Sequence, residues 1–112
     1  MLKTLLFREI RYNDNIEDEL AKNEEDLKND SNNIELLQNI AAIYHALRKN
    51  VKAIEIYDKI VNLRPRDHEM KAFLGYLYYE NEELEEAEKQ LNESLNLKKK
   101  KKIKLFMLGN IY

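Results

Sequence analysis

The chain of 112 residues has no cysteine, no tryptophan, one proline and only two glycines. The lack of cysteine excludes disulfides, thiol catalysis and cysteine-ligated metal sites, and it is compatible with a reducing compartment. Strands have little support in a composition that is so poor in glycine and proline, with 36% charged and 44% hydrophobic residues. The sequence therefore favours a single domain built from helices.

Long apolar runs are also missing. No stretch approaches the roughly 18 apolar residues that a membrane helix needs. The apolar start, residues 1–7, is interrupted by Arg8 and Glu9 and is too short for the core of a secretory signal. The net charge of −2 lacks the basic excess that is typical of nucleic-acid binding. We therefore expect a soluble, cytoplasmic protein with neither nucleic acid nor a membrane as its partner.

The residues that enzymes use are scattered or absent. His45 and His68 are the two histidines, and neither has the spacing of a zinc site. No glycine-rich phosphate loop or serine-centred nucleophile turn is present. We expect no catalytic residue, no metal and no cofactor, and an enzymatic role remains open only as a regulatory or docking part of a larger enzyme.

What the chain does contain is a repeat with a period of 34 residues. Tyr44, Tyr78 and Tyr112 are spaced by this period, and each follows three residues after a small residue. The same offset relates Ala53 to Ala87, and it also relates Leu63 to Leu97. A repeat of this length predicts stacked helical units whose surface holds another protein.

The period divides the chain into four parts. Residues 33–66 and 67–100 are two complete units, each predicted to be a pair of helices. Residues 1–32 are predicted to be a degenerate or capping pair with a turn near residues 13–15, because Glu19 and Asp26 replace core positions of the later units. Residues 101–112 are predicted to be the first helix of a further, incomplete repeat or a C-terminal capping helix.

Small residues mark the points where paired helices are expected to approach closely. Both glycines, Gly75 and Gly109, occupy the same place in the period, and Ala41 occupies it in the unit before. Glycine inside a helix costs roughly 1 kcal/mol relative to alanine, so its recurrence predicts close packing at these positions.

These positions resemble those of the tetratricopeptide repeat family. The first complete unit supplies the pattern with Leu37, Ile40, Ala41, Tyr44, Ala53, Tyr57, Ile60 and Pro65. The second supplies it with Leu74, Gly75, Tyr78, Ala87, Leu91 and Ser94, with Lys99 in the place of the proline and Lys71 in the place of a large apolar residue. The resemblance implies an all-α, right-handed α-solenoid of antiparallel helix pairs, about three hairpins plus a terminal helix.

The resemblance also implies a binding site. First helices of such units line a concave groove that holds an extended peptide or a helix of a partner, and the middle of this groove is expected to be aromatic. The residues implied to line it are Gln38, Asn39, Ala42, His45, Ala72, Phe73, Tyr76, Tyr79, Phe106 and Asn110. Some family members clamp the carboxylate tail of cytosolic chaperones, but Glu69 and Phe73 stand where the basic pair would be needed. We expect no such clamp and a preference for apolar or aromatic peptides.

Two features of the C-terminal region allow other interpretations. An apolar set predicts a self-association edge, or continuation into further repeats of a longer solenoid, because large apolar patches are rarely left exposed; it consists of Ile103, Leu105, Phe106, Leu108, Ile111 and Tyr112. The run of lysines at residues 98–102 is predicted to be a solvated link between units. The alternative interpretation is that these lysines contact phosphate groups. A homo-oligomer or structural module is thus the alternative to a peptide-binding adaptor.

Overall fold

The computed structural model describes the backbone of residues 2–111 and the side chains of residues 15–109. Over that part of the chain the structure is entirely helical apart from short connections. The five helices are α1 (Leu2–Asn29), α2 (Ile34–Ala46), α3 (Asn50–Leu63), α4 (His68–Glu80) and α5 (Leu84–Ile111). Helices α2 and α3 form one hairpin and α4 and α5 form another. The predicted all-α stack of helix pairs is confirmed.

The 34-residue period appears in the backbone as matched caps. The side chain of Asn33 accepts a hydrogen bond of 3.1 Å from the amide of Leu36 at the start of α2. Asp67, one period later, accepts from the amides of Glu69 and Met70 at the start of α4. Both residues satisfy amide groups that the first turn of a helix leaves without partners.

The turns inside the two hairpins match as well. Arg48 and Glu82, again one period apart, adopt left-handed backbone conformations with φ of 60° and 61°. The residue after each one closes the turn, with an amide hydrogen bond from Lys49 to the carbonyl of Tyr44 and from Glu83 to that of Tyr78. Neither turn uses the glycine that such a conformation favours, which places local strain at both sites.

The core lies between consecutive helices. Its largest fully buried side chains are Leu37, Ile40, Ile60, Leu74 and Leu77. Ala53 and Ala87 are buried at matched positions of α3 and α5. Close backbone contacts among the described residues join α1 to α2, α2 to α3, α3 to α4 and α4 to α5 only.

Of the two glycines, only Gly75 lies at a close approach of helices. A Cβ atom at Gly75 would lie 2.8 Å from Cγ of Leu91 and 3.3 Å from the carbonyl oxygen of Ala87, both on α5. A Cβ atom at Gly109 would have nothing within 4 Å. The expectation of close packing at Gly109 is therefore wrong, because no second helix among the described residues comes near this part of α5.

Helix α1 differs from the predicted pair of helices. Its backbone runs unbroken through residues 13–15, where the sequence predicts a turn. Residues 2–29 contain neither glycine nor proline, and the low helix propensity of Asn and Asp amounts to less than about 1 kcal/mol each. Glu19 and Asp26, whose charges suggested a capping face, are exposed. Just beyond the end of α1, the carbonyl oxygen of Ser31 accepts a hydrogen bond of 2.7 Å from Nζ of Lys59 on α3.

Helix α5 also departs from the predicted boundaries. It continues through the lysine run, so these lysines are exposed helical residues and the predicted link between units is wrong. Residues 101–111 extend α5 and do not form a separate first helix. The reason is composition, because lysine and leucine are good helix formers and neither proline nor glycine follows Leu84 before Gly109.

Candidate functional site

The candidate groove is formed by α2 and α4, which lie side by side and point the same way. Near their starts, Nε2 of Gln38 donates to Sδ of Met70 at 3.4 Å. Near their ends, Nε2 of His45 lies 2.6 Å from Oε1 of Glu80. These two contacts join the first helices of the two units through side chains alone.

An aromatic cluster lies between these two contacts. It consists of His45, Tyr57, Phe73 and Tyr76. The rings of Tyr57 and Phe73 have centroids 4.6 Å apart, and Phe73 lies 6.1 Å from Tyr76. The ring of His45 meets the edges of Phe73 and Tyr76 at 6.3 and 6.2 Å. Such offset and edge-on pairs hold the rings in fixed positions, so the surface they present is preformed.

Three of the aromatic side chains of α4 face solvent to increasing degrees. Phe73 is 36% exposed, Tyr76 46% and Tyr79 61%. Phe73 thus packs against Tyr57 on one side and keeps part of its ring exposed to solvent. Burial raises the pKa of Tyr57, as expected for a phenol that forms the floor of the cluster.

The remaining predicted groove residues of the first helices lie on the same two helices, α2 and α4. Asn39 and Ala42 are exposed on α2, and Ala72 is half-buried on α4. Among the described residues, Tyr79 has no ring contact with the cluster and lies one turn further along α4 from Tyr76. The structure therefore brings His45, Phe73 and Tyr76 into direct contact, with Gln38 joined to the same pair of helices.

Phe106 does not join this cluster, and the predicted groove residue Asn110 lies on the same stretch of α5. Both were expected on the first helix of a following unit, but that stretch belongs to α5. The hydroxyl of Ser94 on α5 donates to the carbonyl of His68, which is the first residue of α4. Phe106 therefore lies three turns beyond the start of α4, and it is exposed. The side chain of Asn110 lies outside the described residues.

Carboxylates lie at both ends of the groove. Glu80 is beside His45 at one end, and its charge is the main reason that the pKa of Tyr76 is raised. Glu69 is exposed at the other end. Lys71, the one lysine of α4, is turned toward α5, where Nζ lies 2.9 Å from Oε2 of Glu93. This ion pair explains how a lysine replaces an apolar residue here.

Two residues of the site were not predicted. Tyr57 was predicted only as a position of the repeat pattern and not as a groove residue, and Glu80 was not singled out. Glu80 lies 35 residues after His45, which is one repeat period plus one position. This spacing was a signal in the sequence that the two residues lie near each other on adjacent units. For Tyr57 the signal is weaker, because an aromatic residue at this position of a second helix is equally consistent with the core.

The predicted self-association edge lies on the last turns of α5. Within the described side chains, Ile103, Leu105, Phe106 and Leu108 are exposed, and Met107, which was not predicted, is exposed with them. Lys100, Ile103, Lys104, Met107 and Leu108 line an open cleft of about 390 Å³. Ile111 and Tyr112 belong to the same prediction, but their side chains lie outside the described part.

The described part of the chain holds neither a metal site nor a membrane-spanning helix. No group of three or more histidine or acidic side chains there is placed to hold a metal ion. None of its helices is long and apolar enough to cross a membrane.

The comparison with protein families agrees with the geometry. The tetratricopeptide repeat model matches residues 34–67 and 68–101. These matches cover more than half of the chain, and the chain belongs to the tetratricopeptide repeat family. Repeats of this family are, in general, non-catalytic modules of protein–protein interaction. A comparison with curated proteins gave no significant match.

Proposed function

We propose that this chain is a non-catalytic adaptor that binds an extended peptide or a helix of a partner protein in the groove between α2 and α4. The observation that carries the proposal is the preformed aromatic cluster, in which Phe73 and Tyr76 are held by neighbouring rings yet remain partly exposed. Aromatic anchors of this kind concentrate binding energy at interfaces, and the tyrosine hydroxyl can also bond to a peptide backbone.

The charges of the groove select the type of peptide. Glu80 and Glu69 flank the cluster, and Lys71 is paired with Glu93 away from it. A peptide with apolar or aromatic side chains fits such a surface, whereas a free carboxylate tail meets like charge and no arginine or lysine clamp. We therefore propose that the groove does not bind chaperone tails.

The test uses peptides selected by display on the immobilised protein, with affinities measured by calorimetry. We expect the double variant Tyr76→Ala with Tyr79→Ala to lose roughly 30-fold or more in affinity, since a central aromatic anchor contributes about 2 kcal/mol. Phe106→Ala is the matched control, because it removes a ring that is at least as exposed but lies outside the groove, and it should leave the affinity unchanged. Full affinity in the double variant would reject the groove.

The carboxylate prediction has its own measurement. An acidic peptide with a free C-terminal carboxylate is titrated into the protein under the same conditions. We expect no binding in the micromolar range. Binding at micromolar strength would reject the predicted lack of a clamp while leaving the aromatic groove to be judged by the selected peptides.

A second proposed function is self-association through α5. The exposed apolar residues near its end favour it, because a patch of this kind on a helix with no covering neighbour tends to be buried against another molecule. Light scattering coupled to size exclusion over a range of concentrations tests it. We expect a concentration-dependent dimer, and a monomer at every concentration would reject self-association.

A further inference from the structure

Helix α5 carries a stripe of exposed residues. The counterparts of its central residues in the preceding repeat unit lie on α3 and are buried. The 34-residue period relates Ile54, Tyr57 and Val61 of α3 to Glu88, Leu91 and Leu95 of α5. The three residues of α3 are buried in the core with α4. On α5, Leu95 is 63% exposed, and Leu91, whose side chain packs against Gly75 of α4 on one side, keeps 38% of its surface exposed. The face that α4 covers on α3 is thus open on α5.

The exposed stripe has the spacing of a helix that pairs with another helix. Its positions alternate by four and three residues along α5, as the seam of a coiled coil does. In order they are Leu84, Glu88, Leu91, Leu95, Lys98 and Lys102. The stripe is acidic before its two central leucines and basic after them.

We propose that two copies of this chain pair along this stripe with their α5 helices antiparallel, so that Leu91 of each copy lies opposite Leu95 of the other. In this register Glu88 of each copy lies opposite Lys98 of the other. Lys102 lies opposite Leu84, where its aliphatic stem covers the leucine. The pairing is two-fold symmetric, so every contact occurs twice.

Charge decides between the two orientations. In a parallel pair, residues of the same number face each other, which sets Glu88 against Glu88 and Lys98 against Lys98. Like charges across an interface are unfavourable, whereas the antiparallel register makes both pairs attractive. The stripe is therefore complementary to a reversed copy of itself.

The same residues argue against a further tetratricopeptide unit as the occupant. A following unit would need an apolar residue in the place of Ile54, but α5 has Glu88 there. It would also need the chain to turn near Lys99, the position that corresponds to Pro65, and α5 continues through it. The pairing deepens the self-association proposed above and is independent of the peptide groove.

Exchange of charges tests the register. Sedimentation equilibrium should show that Glu88→Lys and Lys98→Glu each weaken the dimer by about 10-fold, because each change replaces two attractive pairs by two repulsive ones. Combined in one chain, the two substitutions exchange the charges and should restore wild-type affinity. The matched controls Glu86→Lys and Lys100→Glu change the same charges at exposed positions off the stripe and should not weaken it.

Leucine at the centre of the stripe provides a second variant. Leu95→Glu should weaken the dimer by roughly 100-fold or more, since two leucines leave the interface. Circular dichroism on the same samples checks that the helices remain folded; this is expected because Leu95 is exposed in the single chain.

Cysteine cross-linking tests the orientation without interference, because the chain has no cysteine of its own. Asn92→Cys lies beside the two-fold axis and should form a disulfide between copies. Leu84→Cys should not, because the two copies of residue 84 are separated by about 27 Å at 1.5 Å per residue. A parallel pair would instead cross-link at residue 84, which lies on the stripe, and not at residue 92, which flanks it.

The outcomes separate the two proposals. A monomer at all concentrations overturns both self-association and the pairing. A dimer that keeps its affinity in Glu88→Lys and Lys98→Glu overturns the pairing alone and leaves the apolar end of α5 as the interface. A disulfide between copies of Leu84→Cys overturns the antiparallel orientation.

Discussion

The phenol oxygen of Tyr44 donates a hydrogen bond of 2.7 Å to Oε1 of Glu24 and so joins α2 to α1. This hydrogen bond is the main reason that the pKa of Tyr44 is raised to about 12, with burial and the charges of Glu24 and Glu55 acting in the same direction. The bond exists only while the phenol is protonated, which makes the packing of α1 sensitive to high pH.

The first prediction is a loss of stability at alkaline pH that depends on Tyr44. Its pKa is higher in the folded protein than the ordinary value of 10.0, so the folded state binds the proton more tightly. The stabilisation is complete below pH 10 and is lost as the pH rises toward 12. Urea unfolding across this pH range should show that the free energy of unfolding falls less steeply with pH in Tyr44→Phe than in the wild-type protein. An equal change in the exposed control Tyr79→Phe would contradict this assignment.

The second prediction concerns the same substitution at both glycines. Gly75→Ala should destabilise the fold, because its Cβ would displace Leu91 and crowd the backbone of α5. Gly109→Ala should stabilise α5 by up to about 1 kcal/mol, since the site is open and alanine favours a helix. Thermal melts measure both. Adding Leu91→Ala to Gly75→Ala should relieve the crowding, and its failure to do so would show that another contact limits the approach.

The third prediction uses the two left-handed turn residues. Glu82→Gly should stabilise the protein by roughly 0.5–1 kcal/mol, because glycine adopts a positive φ without the steric cost that Glu82 bears. Arg48→Gly should act in the same direction at the matched turn. Glu82→Val should be destabilising, since a β-branched residue resists this conformation. Chemical denaturation would contradict the prediction if glycine and valine had the same effect.

The fourth prediction tests the packing of α5 against α4. Ala87 is buried beside Gly75, so Ala87→Glu would force a large charged side chain into the core. We expect a loss of at least ~1–3 kcal/mol in the free energy of unfolding. Ala21→Glu makes the same change at an exposed position of α1 and should be close to neutral. Similar melts for the two variants would reject the register of α5.

Where the period is strong, the sequence predicted the fold well. Helices α2, α3 and α4 lie where the repeat requires them, and the capping residues Asn33 and Asp67 mark two of their starts. The hydrophobic period acts locally in the chain, which is why it could be recognised without a structure.

The two outer helices were predicted less well, for a physical reason. The repeat favoured a break near residues 13–15 and another at the lysine run, but propensity alone decides whether a helix stops where no neighbour packs against it. Neither segment contains a residue that stops a helix, and both helices continue. The misplacement of Phe106 follows from the second of these errors.

The groove residues were predictable by type more than by contact. The aromatic character of α4 is plain in the sequence, and the burial of Tyr57 beneath Phe73 depends on the distance between α3 and α4. The pairing of His45 with Glu80 depends likewise on how far the second unit is rotated relative to the first. Rotation between units is set by packing along the whole interface and is not encoded in any short motif.

In the part of the chain that the structure describes, each helix packs closely only against its neighbours in sequence, so the order of synthesis is also a workable order of folding. The hairpin of α2 and α3 can form while later residues are still being added, and α4 then finds its docking surface already complete. Contacts so local in sequence are typical of chains that fold rapidly. In a growing polypeptide of this kind, each apolar face can be buried as soon as the next helix has been made.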